Sequence, residues 1–512
     1  MQMRQNRKNF LYAGIFLIYA ILTLFGALRH ELWFDEAQAW VIVRDNDFLG
    51  IMNALRYEGH PPLWYMILLP FARLGFSCEV LPLISWFFSV MTVLLILWKA
   101  PFGLGMKAAV IFSGGFLFFH SVNSRVYCLI PFLLCLIAIL YPKRKKHPVL
   151  FGLLIGLLAN THVCFCGMVG IFGIYMLVEL FRDWKNASAK ENLFRVIGLG
   201  IAGVGVLMLV LPLLHSISLN DSTADISAGM TFGKGLYYFL TGLDDAMYLC
   251  VTGDAYPTEF LHPIASAAAV GIGFFLIIFR RWKKWLIAVL VFLFFYLFIV
   301  SVVWWNNSCR AAMMIFALIF FFWLALEEGG ETESKDSPAW LGQLPKRLSA
   351  VIRIIREAPR KSLTVIFTLI LLTTVPLGAV YLCADWFGLF SVSKPTAEYI
   401  RENFESGTVF VSADDTLAPF SAYLPEYLFY STDRGSFYTY ALHAKAEAVS
   451  EEQIESDLAP YENLYQIIRW GYNSDYGQGN PPPIFTVNVD IVFPHNTYAC
   501  AIVPYREERG VS

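Results

Sequence analysis

Twelve runs of apolar residues punctuate the chain, at 10–28, 61–76, 79–98, 107–120, 126–141, 148–161, 164–181, 194–214, 262–279, 285–303, 310–326 and 362–383. Several approach the roughly 20 residues that carry a helix across a bilayer. A helix satisfies its own backbone polar groups, so hydrocarbon tolerates it. A water-filled surrounding would not tolerate so many. The expected fold class is therefore a polytopic α-helical membrane protein. Composition agrees: 57% of residues are hydrophobic and 15% charged, against about 25% charged in soluble domains. With a net charge of −2 there is no basic field for nucleic acid, and none is expected as a partner. The apolar run at 10–28 follows Arg4, Arg7 and Lys8 but lacks a small-residue cleavage site near its end, so it reads as an uncleaved first helix.

Lys and Arg gather in alternate connections: 1–9, 99–107, 142–147, 182–195, 280–284 and 327–361 hold 24 of 38. The opposite connections, 29–60, 121–125, 215–261 and 304–310, hold only Arg29, Arg44, Arg56, Arg125, Lys234 and Arg310. The positive-inside rule makes the first set cytoplasmic. Twelve crossings would violate that alternation. The run 61–76 contains Pro70 and Arg73, and a mid-membrane Arg costs about 2.5–3.5 kcal/mol. It is expected not to cross. That gives about 11 transmembrane helices in a multi-pass cell-membrane protein, with a cytoplasmic N-terminus. The basic clusters themselves read as orientation anchors.

Two units are expected: a membrane part, 1–387, with its first outer loop at 29–78, and a small extracytoplasmic α/β domain, 388–512. In the latter, 394–406 reads as an amphipathic helix, 408–413 as a strand and Asp414-Asp415 as a turn. A second helix and a strand near 427–431 follow, 461–470 looks helical, and 484–493 alternates like a strand. Acidic residues there outnumber Lys and Arg by more than two to one. No glycine-rich phosphate loop occurs, and the only cysteine is Cys500, so no disulfide framework is available. A packing or acceptor-positioning role fits it better than catalysis.

The first outer loop collects polar groups at the membrane edge. Asp35 and Glu36 sit among Trp33, Phe34 and Trp40. Residues 37–55 can form an amphipathic helix along the interface, and Glu58, Gly59 and His60 precede Pro61-Pro62. A carboxylate there can take a proton from an acceptor hydroxyl. It can equally be a solvated acid capping a helix. Other outer-edge groups are Asn123-Ser124-Arg125-Val126-Tyr127, Asn160-Thr161-His162, and Arg310 after Trp304-Trp305-Asn306-Asn307. Arginines at that depth either snorkel or clamp a phosphate. The Asn186-Ala-Ser sequon falls on the cytoplasmic side, and Asp45-Asn46-Asp47, though of DxD form, lies in the amphipathic stretch. No Walker, HExxH or GxSxG motif is present. Internal repeats are not apparent.

WFDEAQAW in the first outer loop, GHPPLWY after it, SRVYCLIPFLL opening a later helix, the Asn160-Thr161-His162 turn and CRAAMMIFALIFFFW together resemble the GT-C membrane glycosyltransferases. The similarity is to bacterial relatives of the protein O-mannosyltransferases and of the aminoarabinose transferase of lipid A, over about residues 10–330. The resemblance implies a GT-C fold and an inverting glycosyltransferase whose donor is a hexose or pentose on a polyprenyl phosphate. The acceptor would be a lipid, a glycan or a protein, and membrane lipids would surround the site. Asp35 would be base or acceptor organiser, with Glu36 in support, and Asp35 would also be where a divalent metal binds in metal-using members. Glu58, His60, Arg125, Tyr127, His162 and Arg310 would line the substrate. Two other readings predict different behaviour: a lipid-linked sugar flippase, and a non-enzymatic envelope assembly protein using its acidic tail.

Overall fold

The computed structural model describes residues 2–58, 60–219, 232–252, 261–300, 307–329, 358–441, 449–471, 482–489 and 498–505. Gly59, Trp304 to Asn306, residues 220–231 and 253–260 of the 215–261 connection, most of 327–361, and the end of the 484–493 strand lie outside them.

Among the described residues, eight helices are long and apolar enough to cross a membrane: Asn6–Arg29, Val80–Lys99, Val126–Lys143, Val163–Asp183, Ala189–Pro212, His262–Phe279, Ser308–Glu328 and Pro359–Phe387. Leu63–Arg73 and Pro148–Ala159 are shorter apolar helices. Lys283–Phe298 is a further apolar helix of 16 residues. The run at 107–120 is not one helix: Leu104–Ile111 is followed by a π-helical turn at Gly115–Phe119. The expected outer connection 215–261 contains a helix, Phe232–Thr252, which packs on His262–Phe279 and Ser308–Glu328.

Ser308–Glu328 is the central helix, with 83% of its apolar window buried, against 22% for Ala189–Pro212. Its FALIFFFW run is apolar all round, as a helix surrounded by others must be. Peripheral helices present Phe10, Leu17, Ile21, Leu207 and Leu211 outward, where lipid replaces protein as partner. Pro148–Ala159 and Ala189–Leu219 make one of the closest contacts in the fold. A Cβ on Gly152 would meet the Gly198 carbonyl oxygen at 1.9 Å, and one on Gly205 would meet Gly156 Cα at 2.4 Å. Small residues at such a crossing let two backbones touch, which is how helices associate where no hydrophobic effect drives them.

Four of the basic connections, 142–147, 182–195, 280–284 and 327–361, meet at one end of the bundle. Arg144 pairs with Glu179, Lys145 with Asp183 at 2.7 Å, and Lys284 with Glu328 at 2.6 Å. The loop that carries Asp35 lies at the other end, with Leu63–Arg73 against it. This helix has only 11 residues, about 16 Å at 1.5 Å per residue. Its terminal Arg73 donates to the carbonyls of Arg44 and Asn46. The amphipathic stretch 37–55 is two helices, Phe34–Asp45 and Phe48–Glu58, separated at Asn46–Asp47.

Among the described residues after Phe387, six strands form one sheet in the order β3-β2-β1-β4-β6-β5. The strands are β1 Val409–Ser412, β2 Leu428–Ser431, β3 Ser436–Phe437, β4 Leu464–Gly471, β5 Phe485–Val487 and β6 Tyr498–Pro504. β1 is parallel to β2 and β4, and the remaining pairs are antiparallel. Side chains alternate between faces. Phe410 and Ile467 pack under Ser393–Asn403 and Asp414–Tyr423, while Val409 and Val411 face Glu451–Leu458. Two local readings are corrected. Residues 461–470 look helical because apolar residues recur at helical spacing, yet Leu464–Gly471 is a strand paired on both sides. Asp414-Asp415 is the acidic first turn of a helix rather than a loop turn, where carboxylates complement the helix dipole.

Candidate active site

The loop leaves the first membrane helix at Arg29 and re-enters helix at Phe34. Glu36 organises that restart by accepting the Trp33 N–H at 3.2 Å, the carboxylate half of a capping box. Every residue from Glu36 to Val43 is buried, so this is a core helix and not a solvated loop. Asp35, one position earlier, is only half-buried. Its side chain remains 36% exposed, and its carboxylate pairs with the Arg125 guanidinium.

Arg125 comes from an irregular stretch between the π-helical turn and the 3-10 turn Val126–Cys128. Backbone without helical bonds must find other partners in a membrane protein, and here the Ser124 N–H donates to Glu36. Arg125 is 9% exposed. Its Nη2 donates to His60 Nε2 at 3.2 Å, which puts the His60 proton on Nδ1. The guanidinium also lies 5.9 Å from the Trp33 ring centre and 6.0 Å from that of Tyr127, within cation–π range. One cation thus joins residues from 33, 35, 60 and 127.

His162 is buried beside Tyr127, ring centres 5.9 Å apart. Its Nδ1 accepts the Cys164 N–H at 3.2 Å. Burial pushes its pKa well below the usual imidazole range, and the positive charges of Arg310 and Arg125 push the same way. It is a neutral ring in a positive field. Asn160 next to it spans two helices, donating to the Gly156 and Gly205 carbonyls at 2.8 and 2.9 Å. Arg310 opens its helix with Asn307 as N-cap. Glu58 accepts from Gln38 at 2.9 Å. Asp35, His60, Arg125, Tyr127, His162 and Arg310 therefore share one electrostatic neighbourhood, and Glu58 lies on the side toward the sheet.

Glu36 is placed differently from Asp35. It is fully buried, and His30 Nε2 lies 3.0 Å from its carboxylate. His30 Nδ1 lies 3.0 Å from Asp385. Burial alone would lower the His30 pKa; the charges and hydrogen bonds of Glu36 and Asp385 outweigh it and hold it well above the usual imidazole range. Neither His30 nor Asp385 carries a recognisable motif. The one sequence signal for Asp385 is an acid near the end of an apolar run.

An apolar cavity of about 200 Å³ flanks this cluster, lined among others by Pro62, Met66, Leu157, Asn160 and Met208. No group of three or more His, Cys, Asp or Glu among the described residues is placed to hold a metal ion, and Asp35 already faces a guanidinium. The donor set does not fit a divalent metal at Asp35.

Comparison with solved structures finds a likeness to the Archaeoglobus fulgidus oligosaccharyltransferase, whose crystal structure holds an acceptor peptide containing the NVT sequon, tethered via a disulfide bond. The match covers 90% of this chain and 69% of that one, with 12% identity and a TM-score of 0.44. No family model and no curated protein matches the sequence.

Proposed function

We propose that this chain transfers a sugar from a polyprenyl-phosphate donor to an acceptor hydroxyl or amine at the outer membrane face. The observation that carries the reading is the pairing of Asp35, partly open to solvent, with Arg125, nearly buried. A base exposed to an acceptor and a cation set deeper suit attack at an anomeric carbon whose leaving group is a phosphate. Asp35 takes the acceptor proton as the acceptor oxygen or nitrogen bonds to the anomeric carbon. The bond from that carbon to the phosphate oxygen breaks, with inversion, and polyprenyl phosphate leaves carrying the electron pair. Arg125 and Arg310 offset the charge that develops on it. Neutral His60 and His162 are hydrogen-bonding groups for the phosphate or the sugar, and Tyr127 and Glu58 complete the lining. The neighbouring apolar cavity suits the start of a lipid chain. Glu36 acts by holding the site together. The tail, 388–512, is an acceptor-positioning domain.

The test uses purified protein and a panel of radiolabelled polyprenyl-phosphate sugars, with release of polyprenyl phosphate as readout. Release that disappears in Asp35→Asn identifies a transferase and its donor. No release from any donor, with crude envelope supplied as acceptor, transfers the weight to lipid-linked sugar translocation without bond formation.

A further inference from the structure

His30 has a carboxylate on each ring nitrogen, and none of the three side chains is exposed. A ring nitrogen donates only when it carries a hydrogen, so with both acids ionised the ring is the imidazolium, the form that the charges of Glu36 and Asp385 favour. Phe118 and Phe390 pack on the ring, with centres 6.0 and 4.8 Å away, and exclude water. Taking such charges out of water is costly, and a buried ion pair is weak evidence for stability. What the arrangement does supply is a fixed geometry for Glu36. That carboxylate receives His30, the Trp33 N–H and the Ser124 N–H. Glu36 follows Asp35 in the chain, and Ser124 precedes Arg125. One carboxylate therefore fixes the backbone on both sides of the Asp35–Arg125 pair, and His30 fixes that carboxylate to the last membrane helix through Asp385.

We propose that His30, anchored by Asp385, is a positioning residue that sets Asp35 against Arg125 by orienting Glu36. The inference rests on the transferase reading given above. A displacement of about 1 Å in a reacting group can cost about a hundredfold in rate, so a device of this kind acts on turnover and not on donor capture alone.

The experiment uses the full chain and the donor that supports release. His30→Gln, Asp385→Asn, the double variant and Asp35→Asn are compared, with rates expressed per folded molecule from gel filtration and thermal melting. His30→Gln is expected to lower kcat about tenfold or more while the donor KM moves far less. The double variant is expected to recover part of that loss, because a Gln amide can donate to Glu36 while its oxygen accepts from the Asn introduced at 385. Asp385→Asn, which keeps an acceptor for Nδ1, gives an intermediate loss and serves if His30→Gln does not fold. A purely structural His30 would lower the melting midpoint and leave kcat per folded molecule within twofold, and that result overturns the proposal. A second readout does not depend on catalysis. Nitrogen-15 NMR of labelled histidine should show both His30 ring nitrogens protonated at pH 8; a neutral ring overturns the proposal. Wild-type kinetics in Asp35→Asn would instead sink the transferase reading, which separates the two failures.

Discussion

Gln38 and Ala441 exchange two hydrogen bonds, as paired strands do. The Ala441 N–H donates to Gln38 Oε1 at 3.0 Å, and Gln38 Nε2 donates back to the Ala441 carbonyl. The same amide nitrogen donates to Glu58, and Tyr438 donates to the amide oxygen at 3.2 Å. A buried side chain in the first loop thus ties the site's Glu58 to the segment following β3. Nearby, Tyr423 accepts the Leu32 N–H at 2.9 Å, and Arg44 donates to Ser421. The sheet and the loop are one packed unit at this end.

Gln38→Leu should loosen that unit without disturbing the membrane helices. It leaves the Ala441 carbonyl without its Gln38 donor, at a cost of about 1–3 kcal/mol, while the Ala441 N–H keeps the Tyr438 hydroxyl at 2.9 Å. Hydrogen exchange followed by mass spectrometry is expected to show faster exchange around Ala441 and in Phe34–Asp45, with the long helices unchanged. Unaltered exchange around Ala441 would mean that other contacts hold the junction.

Arg125→Lys keeps the charge and loses the fork. An ammonium cannot reach Asp35 and His60 together from the Arg125 backbone, because its donors radiate from one atom. Polyprenyl phosphate release is expected to fall about a hundredfold, or roughly 2.7 kcal/mol of transition-state stabilisation. If instead the lysine variant keeps most of its activity, charge alone suffices and the bridging geometry is incidental.

The sequence carries this site unevenly. Asp35, His60, Arg125, His162 and Arg310 are legible as polar residues at the edges of apolar runs, because hydrocarbon leaves few other reasons for them there. Their convergence is not legible: it depends on an irregular segment at 121–125 whose backbone Glu36 satisfies. His30 and Asp385 are invisible as a pair, since one lies just past the first helix and the other near the end of the last. The alternation of basic connections is legible in the sequence; the pairing of Arg144 with Glu179, Lys145 with Asp183 and Lys284 with Glu328 is not, since it depends on which helix ends come together. The helix Phe232–Thr252 is hidden by Asp244 and Asp245, which interrupt its apolar character. β4 is misread because strand and helix periodicities overlap in short apolar segments.

The glycine contact gives a matched pair of substitutions. Gly152→Ala places a methyl 1.9 Å from a carbonyl oxygen, whereas a Cβ on Gly173 meets nothing within 4 Å. Backbone cannot move aside as a side chain can. Gly152→Ala should destabilise by about 2 kcal/mol or more through overpacking, while Gly173→Ala gains up to about 1 kcal/mol of helix propensity. Thermal melts of the two variants in the same detergent decide it; equal midpoints would show that the helices are not in contact through Gly152.

Glu31 gives stability a pH dependence of its own. The residue is 7% exposed, and its carboxylate accepts the Ser391 N–H at 2.8 Å, bridging the end of the first helix to the segment entering the sheet. Burial raises its pKa from 4.5 to about 7, although the Ser391 and Phe390 N–H groups pull it down. The folded value lies above the unfolded one. Below about pH 4.5 both states hold the proton and the contribution is fully present. Between pH 4.5 and 7 the unfolded chain releases its proton while the folded one keeps it, so rising pH favours unfolding. Above 7 the loss is complete, at roughly 3 kcal/mol. Glu31→Gln keeps an acceptor for Ser391 and has no proton to lose. Its melting midpoint should match that of the wild type near pH 4.5, exceed it increasingly up to about pH 7, and stay above it by a constant margin beyond. Melting curves that stay parallel across that range would place the Glu31 carboxylate in a solvated, ordinary state and remove its link to the fold.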